Sequence, residues 1–208
     1  MPICYIKRIS DDSTLGLWHM SESWQELKEM ISLPDSELLA LKERKTDRRK
    51  QEWLACRILL QEMTQTLPVV MYDENRKPHL KESSKQLSMS HSGDYASVYI
   101  HDIKPVGVDL QQMKPSIAKG ADYFLNAAEQ HWADLNDNVL LHLIWCAKEA
   151  AFKYAGDPDL DLKKHIITNA FHSNQNGFIE VSIQKEHLNL SLKLQYDAFE
   201  DYLLVWTV

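Results

Sequence analysis

One stretch decides the fold: VGVDLQ at residues 106–111. Its valines and leucine alternate with glycine, aspartate and glutamine, and this period of two predicts a β-strand. Successive side chains of a strand point to opposite faces, so Asp109 and Gln111 are expected on the same face. The stretch therefore predicts a buried strand that carries an acid and an amide on one side.

A second stretch, WCAKEAAFK at residues 145–153, predicts an amphipathic helix. Trp145, Glu149 and Lys153 recur every four residues and so share one helical face. Together with Asp109, the helix carboxylate could hold a hard divalent cation against phosphates. The alternative is an ordinary ion pair between Glu149 and Lys153 on the helix surface, and spacing alone favours it because such pairs are common.

Composition limits the class of protein. The chain has 208 residues, a formal net charge of −7 and three cysteines. A net negative charge argues against general binding to nucleic acid or to anionic membranes. The cysteines are far apart and fit neither a disulfide framework nor a zinc site. Residues 1–8 do not lead into the apolar segment of a signal peptide, and no apolar run approaches a membrane span. We therefore expect a soluble, cytoplasmic protein.

Two further segments lie upstream: RKP at residues 76–78 and LSMSHSGDY at residues 87–95. In this order, the four segments resemble the motifs of the 4′-phosphopantetheinyl transferases, which are Gly-Lys-Pro, Leu-Ser-His-Ser-Gly-Asp, Gly-Val-Asp-Leu and Trp-x-x-Lys-Glu-Ala-x-x-Lys. Motifs and length together are similar to the surfactin-synthetase-activating branch, whose members are two-lobed monomers. The resemblance covers residues 76–153, and the two ends of the chain match mainly by architecture.

The resemblance implies an α+β fold of two pseudo-repeated lobes. Each lobe would be a small antiparallel sheet packed on a long helix, with the active site in the cleft between the lobes. A faint repeat of DYxxV, at residues 94–98 and 201–205, agrees with a duplication but is weak evidence alone. We place an N-terminal lobe with the coenzyme A phosphate contacts at residues 1–103. A C-terminal lobe with the metal site and catalytic helix follows at residues 104–208.

Periodicity and turn residues predict the secondary structure in outline. Strands are expected near residues 3–9, 15–19, 69–72, 87–90, 95–101, 106–111, 166–172, 177–184, 188–195 and 201–208. Helices are expected after Ser23, from Asp35 to about Met63 across a polar stretch, within 116–132 after a loop, and over 138–155. Gly156 is expected to end the last of these helices.

The activity implied by the resemblance is Mg²⁺-dependent transfer of 4′-phosphopantetheine from coenzyme A to a serine hydroxyl of an apo acyl or peptidyl carrier protein. Adenosine 3′,5′-bisphosphate would be released. Such a reaction needs cations against the diphosphate, and Mg²⁺ is usually held by one or two carboxylates plus substrate phosphates. Fatty-acid, polyketide and peptide synthetase carriers are all admissible substrates.

Positions that match the family motifs carry the chemistry. Asp109 and Glu149 would be metal ligands and catalytic residues, and Lys153 would neutralise charge on the leaving group. Glu149 would be the base, directly or through a water, and a metal-bound water is the alternative base because metal ligation lowers the basicity of Glu149. Gln111 stands where the surfactin-type signature has glutamate, so we expect weaker or water-mediated coordination through its uncharged amide. Lys148 points about 100° away from Glu149 on a helix, and an exposed role and a role at the site stay open for it.

The residues that contact the phosphates of coenzyme A are assigned through the same resemblance. Lys77, Ser90 and His91 match residues of the family's phosphate-contacting segments. An alternative for a histidine in a turn is a structural or solvated role.

A basic run at residues 42–50 has six lysines and arginines against two acids. The resemblance implies that some of these side chains meet the 3′-phosphate of coenzyme A, and Lys45 and Arg49 are assigned to it. A solvated helix face is the alternative. For Arg57, further along, a structural role is expected.

The carrier is expected to contact residues 113–119, which match the family's carrier-facing segment by position, although an ordinary packed loop is an alternative there. Two other hypotheses for the whole chain stay open. Gln111 suggests a non-catalytic module that binds coenzyme A or a carrier. A purely structural protein would carry Glu149 and Lys153 only as surface decoration.

Overall fold

The computed structural model describes residues 3–67 and 69–208. Met1 and Pro2, on which the expectation about a signal peptide partly rests, lie outside the described residues. The chain divides into two compact units, Met1–Pro105 and Val106–Val208. The separate roles assigned to an N-terminal and a C-terminal lobe stay a prediction.

The first unit is an antiparallel sheet with helices. Its strands are β1 (Ile3–Ser10), β2 (Ser13–His19), β3 (Val70–Tyr72), β4 (Pro78–Leu80), β5 (Gln86–Ser92) and β6 (Tyr95–His101). Its helices are α1 (Trp24–Glu29), α2 (Asp35–Lys42) and α3 (Asp47–Thr64). The strand order is β1-β2-β6-β5-β4-β3 with antiparallel pairing, and α3 packs on β2 and β6.

Local signals explain where several of these elements begin and end. Ser23 caps α1 in a capping box with Glu26, as the sequence predicts. Ser92 pairs with Tyr95, so the predicted hairpin closes through a two-residue turn in which Gly93 has a φ of 49°. The long helical pattern from Asp35, in contrast, is not one helix.

The break in that pattern falls in the polar stretch, between α2 and α3. Thr46 accepts a hydrogen bond from the backbone N–H of Arg49 at 3.2 Å and so starts a new helix. Residues 42–47 contain no apolar side chain that would hold a continuous helix on the sheet. The sequence also missed β4, since three residues beginning with a proline are too short to show a period.

The second unit repeats the layout of sheet and long helix. Its strands are β7 (Val108–Gln112), β8 (Ile166–Thr168), β9 (Asn176–Lys185), β10 (Leu188–Phe199) and β11 (Tyr202–Thr207). Its helices are the short α4 (Ala121–Phe124) and α5 (Ala127–Gln130), preceded by a 3₁₀ turn (Ile117–Gly120), and the long α6 (Asn138–Ala155). The strand order is β7-β11-β10-β9-β8, again antiparallel.

Helix α6 has the predicted bounds. Asp137 accepts a hydrogen bond from the backbone N–H of Leu140 at 2.9 Å and caps the first turn. Gly156 ends the helix with a φ of 67°, the left-handed conformation that glycine adopts without penalty. The helix packs on β7 and β11.

The predicted α+β class, with an antiparallel sheet and an 18-residue helix in each unit, is confirmed. Where one helix was expected within residues 116–132, there are three short helical turns instead. Among the residues that the structure describes, no helix is both long and apolar enough to span a bilayer.

The turn between β3 and β4 contains a strained residue. Arg76 has a φ of 62°, although it carries a Cβ and occupies the position where the family motif has glycine. A non-glycine residue in the left-handed region costs about 1–2 kcal/mol, and glycine recovers part of this after its own entropy loss.

We predict that Arg76→Gly raises the free energy of unfolding by about 0.5–1 kcal/mol, because the turn keeps its shape without the Cβ clash. Equilibrium denaturation checks this. Arg76→Ala, which keeps the Cβ, is the matched control and should show no such gain. Equal stabilities for the glycine and alanine variants would contradict the prediction.

Candidate active site

The site begins where the chain entering β7 touches α6. An ideal Cβ placed on Gly107 would lie 1.9 Å from the carbonyl oxygen of Ala150, far inside contact distance. The backbone of Gly107 is fixed by Thr207, whose Oγ1 accepts its N–H at 3.1 Å and whose own N–H donates to its carbonyl at 3.0 Å. Only glycine fits here, so this residue sets how closely the strand and the helix approach.

This close packing brings Asp109 of β7 to Lys153 of α6. Lys153 Nζ donates to Asp109 Oδ1 at 2.7 Å and to the carbonyl oxygen of Val108 at 3.0 Å. Asp109 is only 5% exposed, whereas the side chain of Lys153 is 27% exposed. Lys153 thus has a charged partner on the strand, which the surface-pair interpretation of the helix did not include.

Glu149 of α6 interacts electrostatically with both Asp109 and Lys153. Burial raises the pKa of its carboxyl, the negative charge of Asp109 raises it further, and Lys153 opposes both. The two carboxylates are therefore close enough for one to disfavour ionisation of the other. Bringing two acids together away from water is unfavourable without a cation to share.

The donor set fits a hard cation. Asp109 and Glu149 offer carboxylate oxygens, the ligands that Mg²⁺ prefers. Gln111 is half-buried and its amide nitrogen donates to the Gln112 carbonyl at 3.2 Å, so the amide oxygen is the atom it can turn to a metal. Within the described part of the chain, no group of three or more His, Cys, Asp or Glu side chains is placed to hold a metal. Two carboxylates would need oxygens from substrate or water to complete a shell, and metal ligation by all three residues stays a prediction.

Cys146 is a neighbour that the sequence did not single out. Its thiol is fully buried, and burial together with the charge of Asp109 raises its pKa well above the ordinary value. The thiol therefore stays protonated.

Lys148 is buried, so the exposed role that the sequence left open for this residue is wrong. Its ammonium is fully buried and donates to Glu129 Oε2 at 2.7 Å and to the carbonyl oxygens of Phe124 at 2.7 Å and Leu162 at 2.9 Å. Burial lowers the pKa of Lys148, while Glu129 opposes this. A lysine with three buried partners acts on structure, because none of its donors is turned to solvent.

In the first unit, the carboxylate of one buried residue, Glu52, contacts three basic side chains. Glu52 is 8% exposed. Its Oε2 accepts from Arg49 Nη1 at 3.1 Å and lies 3.4 Å from His91 Nδ1, and its Oε1 accepts from Arg48 Nε at 3.2 Å. Arg49 and His91, assigned from separate motifs, are thus brought together, and Glu52 and Arg48 are the partners that the sequence missed. We call Arg48, Arg49, Glu52 and His91 the basic cluster.

The other assigned contacts lie on different elements of this unit. Ser90 is buried in β5. Lys77 is half-buried in the turn between β3 and β4, where its backbone N–H donates to Asp73 Oδ1 at 2.8 Å, and burial lowers the pKa of its ammonium. Lys45 is exposed in the connection between α2 and α3. The assignment of these residues to coenzyme A stays a prediction.

The α+β fold, with an antiparallel sheet and a long helix in each unit, is consistent with that of a phosphopantetheinyl transferase. Residues 105–207, which include both carboxylates and nearly all of the second unit, match the model of the 4′-phosphopantetheinyl transferase superfamily. The chain belongs to this superfamily and is a transferase.

Similar proteins agree with this assignment. The 4′-phosphopantetheinyl transferase AcpT of Escherichia coli O157:H7 is 28% identical over 152 residues, which cover 69% of this chain and 75% of that protein. The AcpT of Salmonella typhi is 31% identical over 116 residues, which cover 52% of this chain and 60% of that protein. Membership of the surfactin-synthetase-activating branch stays a prediction.

The close contact at Gly107 leads to a prediction about the stability of a variant with a larger side chain there. Gly107→Ala should lower the free energy of unfolding by about 3 kcal/mol, because backbone atoms of α6 must move to admit the new methyl group. Gly120→Ala is the matched control, since a Cβ there meets only Tyr123 Cδ2, at 3.9 Å. Denaturant unfolding of both variants measures the difference. Equal stability of the two would show that the close approach of strand and helix is unimportant.

The raised pKa of Glu149 leads to a prediction about how the stability of the metal-free protein depends on pH. A carboxyl whose pKa is raised by folding stabilises the fold while protonated, and this contribution is lost as the pH rises through the raised value. Glu149→Gln should therefore become progressively more stable relative to the wild type as the pH rises above the ordinary pKa of a glutamate. Thermal unfolding with a chelator present measures it, with exposed Glu74→Gln as control. A pH-independent difference between Glu149→Gln and wild type would contradict the assignment.

Proposed function

We propose that the protein transfers 4′-phosphopantetheine from coenzyme A to a serine of an apo acyl or peptidyl carrier protein, with Mg²⁺ as cofactor and adenosine 3′,5′-bisphosphate as second product. Transfer of phosphopantetheine follows from the family, while the cofactor and both substrates are inferred. One observation carries the proposal: buried Asp109 is held by Lys153, beside Glu149, at a strand–helix contact that only glycine allows.

Asp109 and Glu149 would hold the cation, with the amide oxygen of Gln111 as a direct or water-mediated third contact. When bound, Mg²⁺ would neutralise charge on the diphosphate of coenzyme A. The charges in the site support this, because a divalent cation would relieve the unfavourable proximity of the two carboxylates.

Lys153 is suited to the leaving group. Its ammonium is fixed by Asp109 and the Val108 carbonyl, yet about a quarter of the side chain is open to solvent. A preorganised cation of this kind stabilises charge that develops in the transition state without having to reorient.

Glu149 is suited to be the base. In the proposed step, the serine oxygen of the carrier bonds to the phosphorus of the phosphopantetheine group. The diphosphate P–O bond breaks, adenosine 3′,5′-bisphosphate leaves, and the serine proton passes to Glu149. Burial raises the pKa of this carboxyl in the metal-free protein, whereas ligation of Mg²⁺ would lower its basicity, and a water is the alternative acceptor of the proton.

The basic cluster is the proposed anion site for coenzyme A. Glu52 holds the side chains of Arg49 and His91 in place, so less conformational entropy is lost when a phosphate binds. Ser90, Lys77 and Lys45 are the further contacts that we propose. Burial makes the charge of Lys77 costly, and an anionic partner would offset that cost.

Residues 113–119 are the proposed contact for the carrier. The backbone N–H of Lys114 donates to His142 Nε2 at 3.0 Å, and His142 Nδ1 lies 2.8 Å from the Asn138 carbonyl oxygen. Burial lowers the pKa of His142, so the neutral form that accepts this bond is favoured. A histidine of α6 thus anchors the start of the segment.

We further propose that the enzyme acts as a monomer in the cytoplasm.

Intact-mass spectrometry of an apo-carrier tests the proposal. With coenzyme A and Mg²⁺, the wild type should add one phosphopantetheinyl group per carrier, and chelation should stop the reaction. Asp109→Ala and Glu149→Gln should each lower the rate by at least about a hundredfold, because each removes a ligand, and the second also removes the base. Exposed Glu74→Gln should have the wild-type rate.

Two results would contradict this assignment. Unchanged rates in both site variants would exclude these carboxylates from the reaction. Binding of coenzyme A without any gain in carrier mass would favour a non-catalytic binding module, the alternative that Gln111 suggests.

A further inference from the structure

Each unit contains a buried ion pair between its long helix and the helix that precedes it. In the first unit, Arg57 Nε donates to Glu37 Oε2 at 3.1 Å, and the two side chains are 3% and 4% exposed. In the second unit, Lys148 Nζ donates to Glu129 Oε2 at 2.7 Å, and both side chains are fully buried. Arg57 is the eleventh residue of α3 and Lys148 is the eleventh residue of α6, so the pairs occupy equivalent places.

The equivalence extends to the second oxygen of each glutamate. Glu37 Oε1 accepts the backbone N–H of Val70 at 3.0 Å, and Glu129 Oε1 accepts that of Thr168 at 2.8 Å. Val70 lies in β3 and Thr168 in β8, each an outermost strand of its own sheet. In both units one glutamate therefore joins a short helix, the long helix and an edge strand. We call Glu37–Arg57 the α3 strut and Glu129–Lys148 the α6 strut.

Both long helices are buried on nearly every side at their centres. All residues from Glu52 to Leu60 of α3 are buried, and in α6 every residue from Leu140 to Ala151 is buried except Trp145 and Glu149. The hydrophobic effect has no direction, so burial alone does not fix how such a helix is rotated about its axis. A buried ion pair adds little net stability, but in some proteins such pairs select one helix register over others.

The functional groups of each helix lie close to its strut. Lys148 directly precedes Glu149 and lies five residues before Lys153. Arg57 lies five residues after Glu52, which holds the basic cluster. A rotation or slide of either helix would move these groups, and a misplacement of about 1 Å can cost a hundredfold in rate.

We propose that the two struts are positioning devices with separate effects on one reaction. The α6 strut sets Glu149 and Lys153 against Asp109, and the α3 strut sets the basic cluster that binds a phosphate of coenzyme A. This inference rests on the proposed function, which assigns the carboxylates to Mg²⁺ and the basic cluster to coenzyme A.

Paired replacements test the struts without leaving a buried charge alone. One variant combines Glu129→Gln with Lys148→Met, and the other combines Glu37→Gln with Arg57→Met. Each glutamine keeps an oxygen for the strand N–H, and loss of both charges is compatible with a stable fold. Circular dichroism and thermal unfolding establish that each variant is folded.

The two variants should fail in different ways. For the α6 variant, kcat should fall at least about tenfold and the Mg²⁺ concentration for half-maximal rate should rise, because the carboxylates lose their alignment. For the α3 variant, the KM for coenzyme A should rise about tenfold with a smaller effect on kcat. A merely structural role would leave both kinetic constants of a folded variant unchanged.

Two kinds of control sharpen the result. Lys185→Met removes a solvent-accessible ion pair with Asp157, 2.9 Å long, and should have wild-type kinetics. Arg57→Lys and Lys148→Arg keep the charge but change the geometry of the contact, and should have intermediate constants.

Folded paired variants with wild-type kcat and KM would overturn the inference. If a paired variant does not fold, wild-type constants in the corresponding charge-conserving variant would overturn it instead. Failure of the wild type to modify any apo-carrier would be a failure of the proposed function. In that case calorimetry tests the struts on their own: weaker Mn²⁺ binding by the α6 variant and weaker coenzyme A binding by the α3 variant are expected, and wild-type affinities in both would overturn the inference.

Discussion

The contact between Gly107 and Ala150 is the constraint on which the second unit depends. With hydrogen as its side chain, Gly107 lets the backbone of β7 approach the backbone of α6 more closely than any Cβ would permit. Ala150 follows Glu149, and Asp109 lies two residues after Gly107, so the contact sets the distance between the two carboxylates. This motif glycine therefore allows a strand acid and a helix acid to meet.

The charges around this contact fit a site that is prepared for a cation. Lys153 stabilises Asp109 through a direct ion pair, whereas partial burial and the charge of Asp109 raise the pKa of Glu149. Such an arrangement costs stability in the absence of metal. Costs of this kind are typical of functional sites, where geometry is selected for chemistry over folding.

Much of the fold could be predicted because its signals are local. Asp137 and Gly156 mark both ends of α6, and the alternation from Val108 onward marks β7. The partners of the charged residues could not be predicted in the same way. Glu129 and Lys148 are nineteen residues apart, and no periodicity connects them until the helices have packed.

At the candidate site too, local motifs could be predicted, whereas contacts that depend on packing could not. The motifs singled out Asp109, Glu149 and Lys153, and the structure brings these three together. Spacing gave no reason to single out Glu52, which joins Arg49 to His91, because its role depends on the meeting of α3 with β5. For Lys148, helical geometry indicated only that it points away from Glu149, and whether that direction is solvent or core depends on α5.

The proposed reaction requires Asp109 and Glu149 to hold one divalent cation against the diphosphate of coenzyme A. Anomalous diffraction from crystals grown with Mn²⁺ and coenzyme A tests it most directly. We expect one strong peak at roughly 2.1 Å from an oxygen of each carboxylate, the distance typical of a small hard cation. A peak bound to neither carboxylate, with coenzyme A in place, would contradict it.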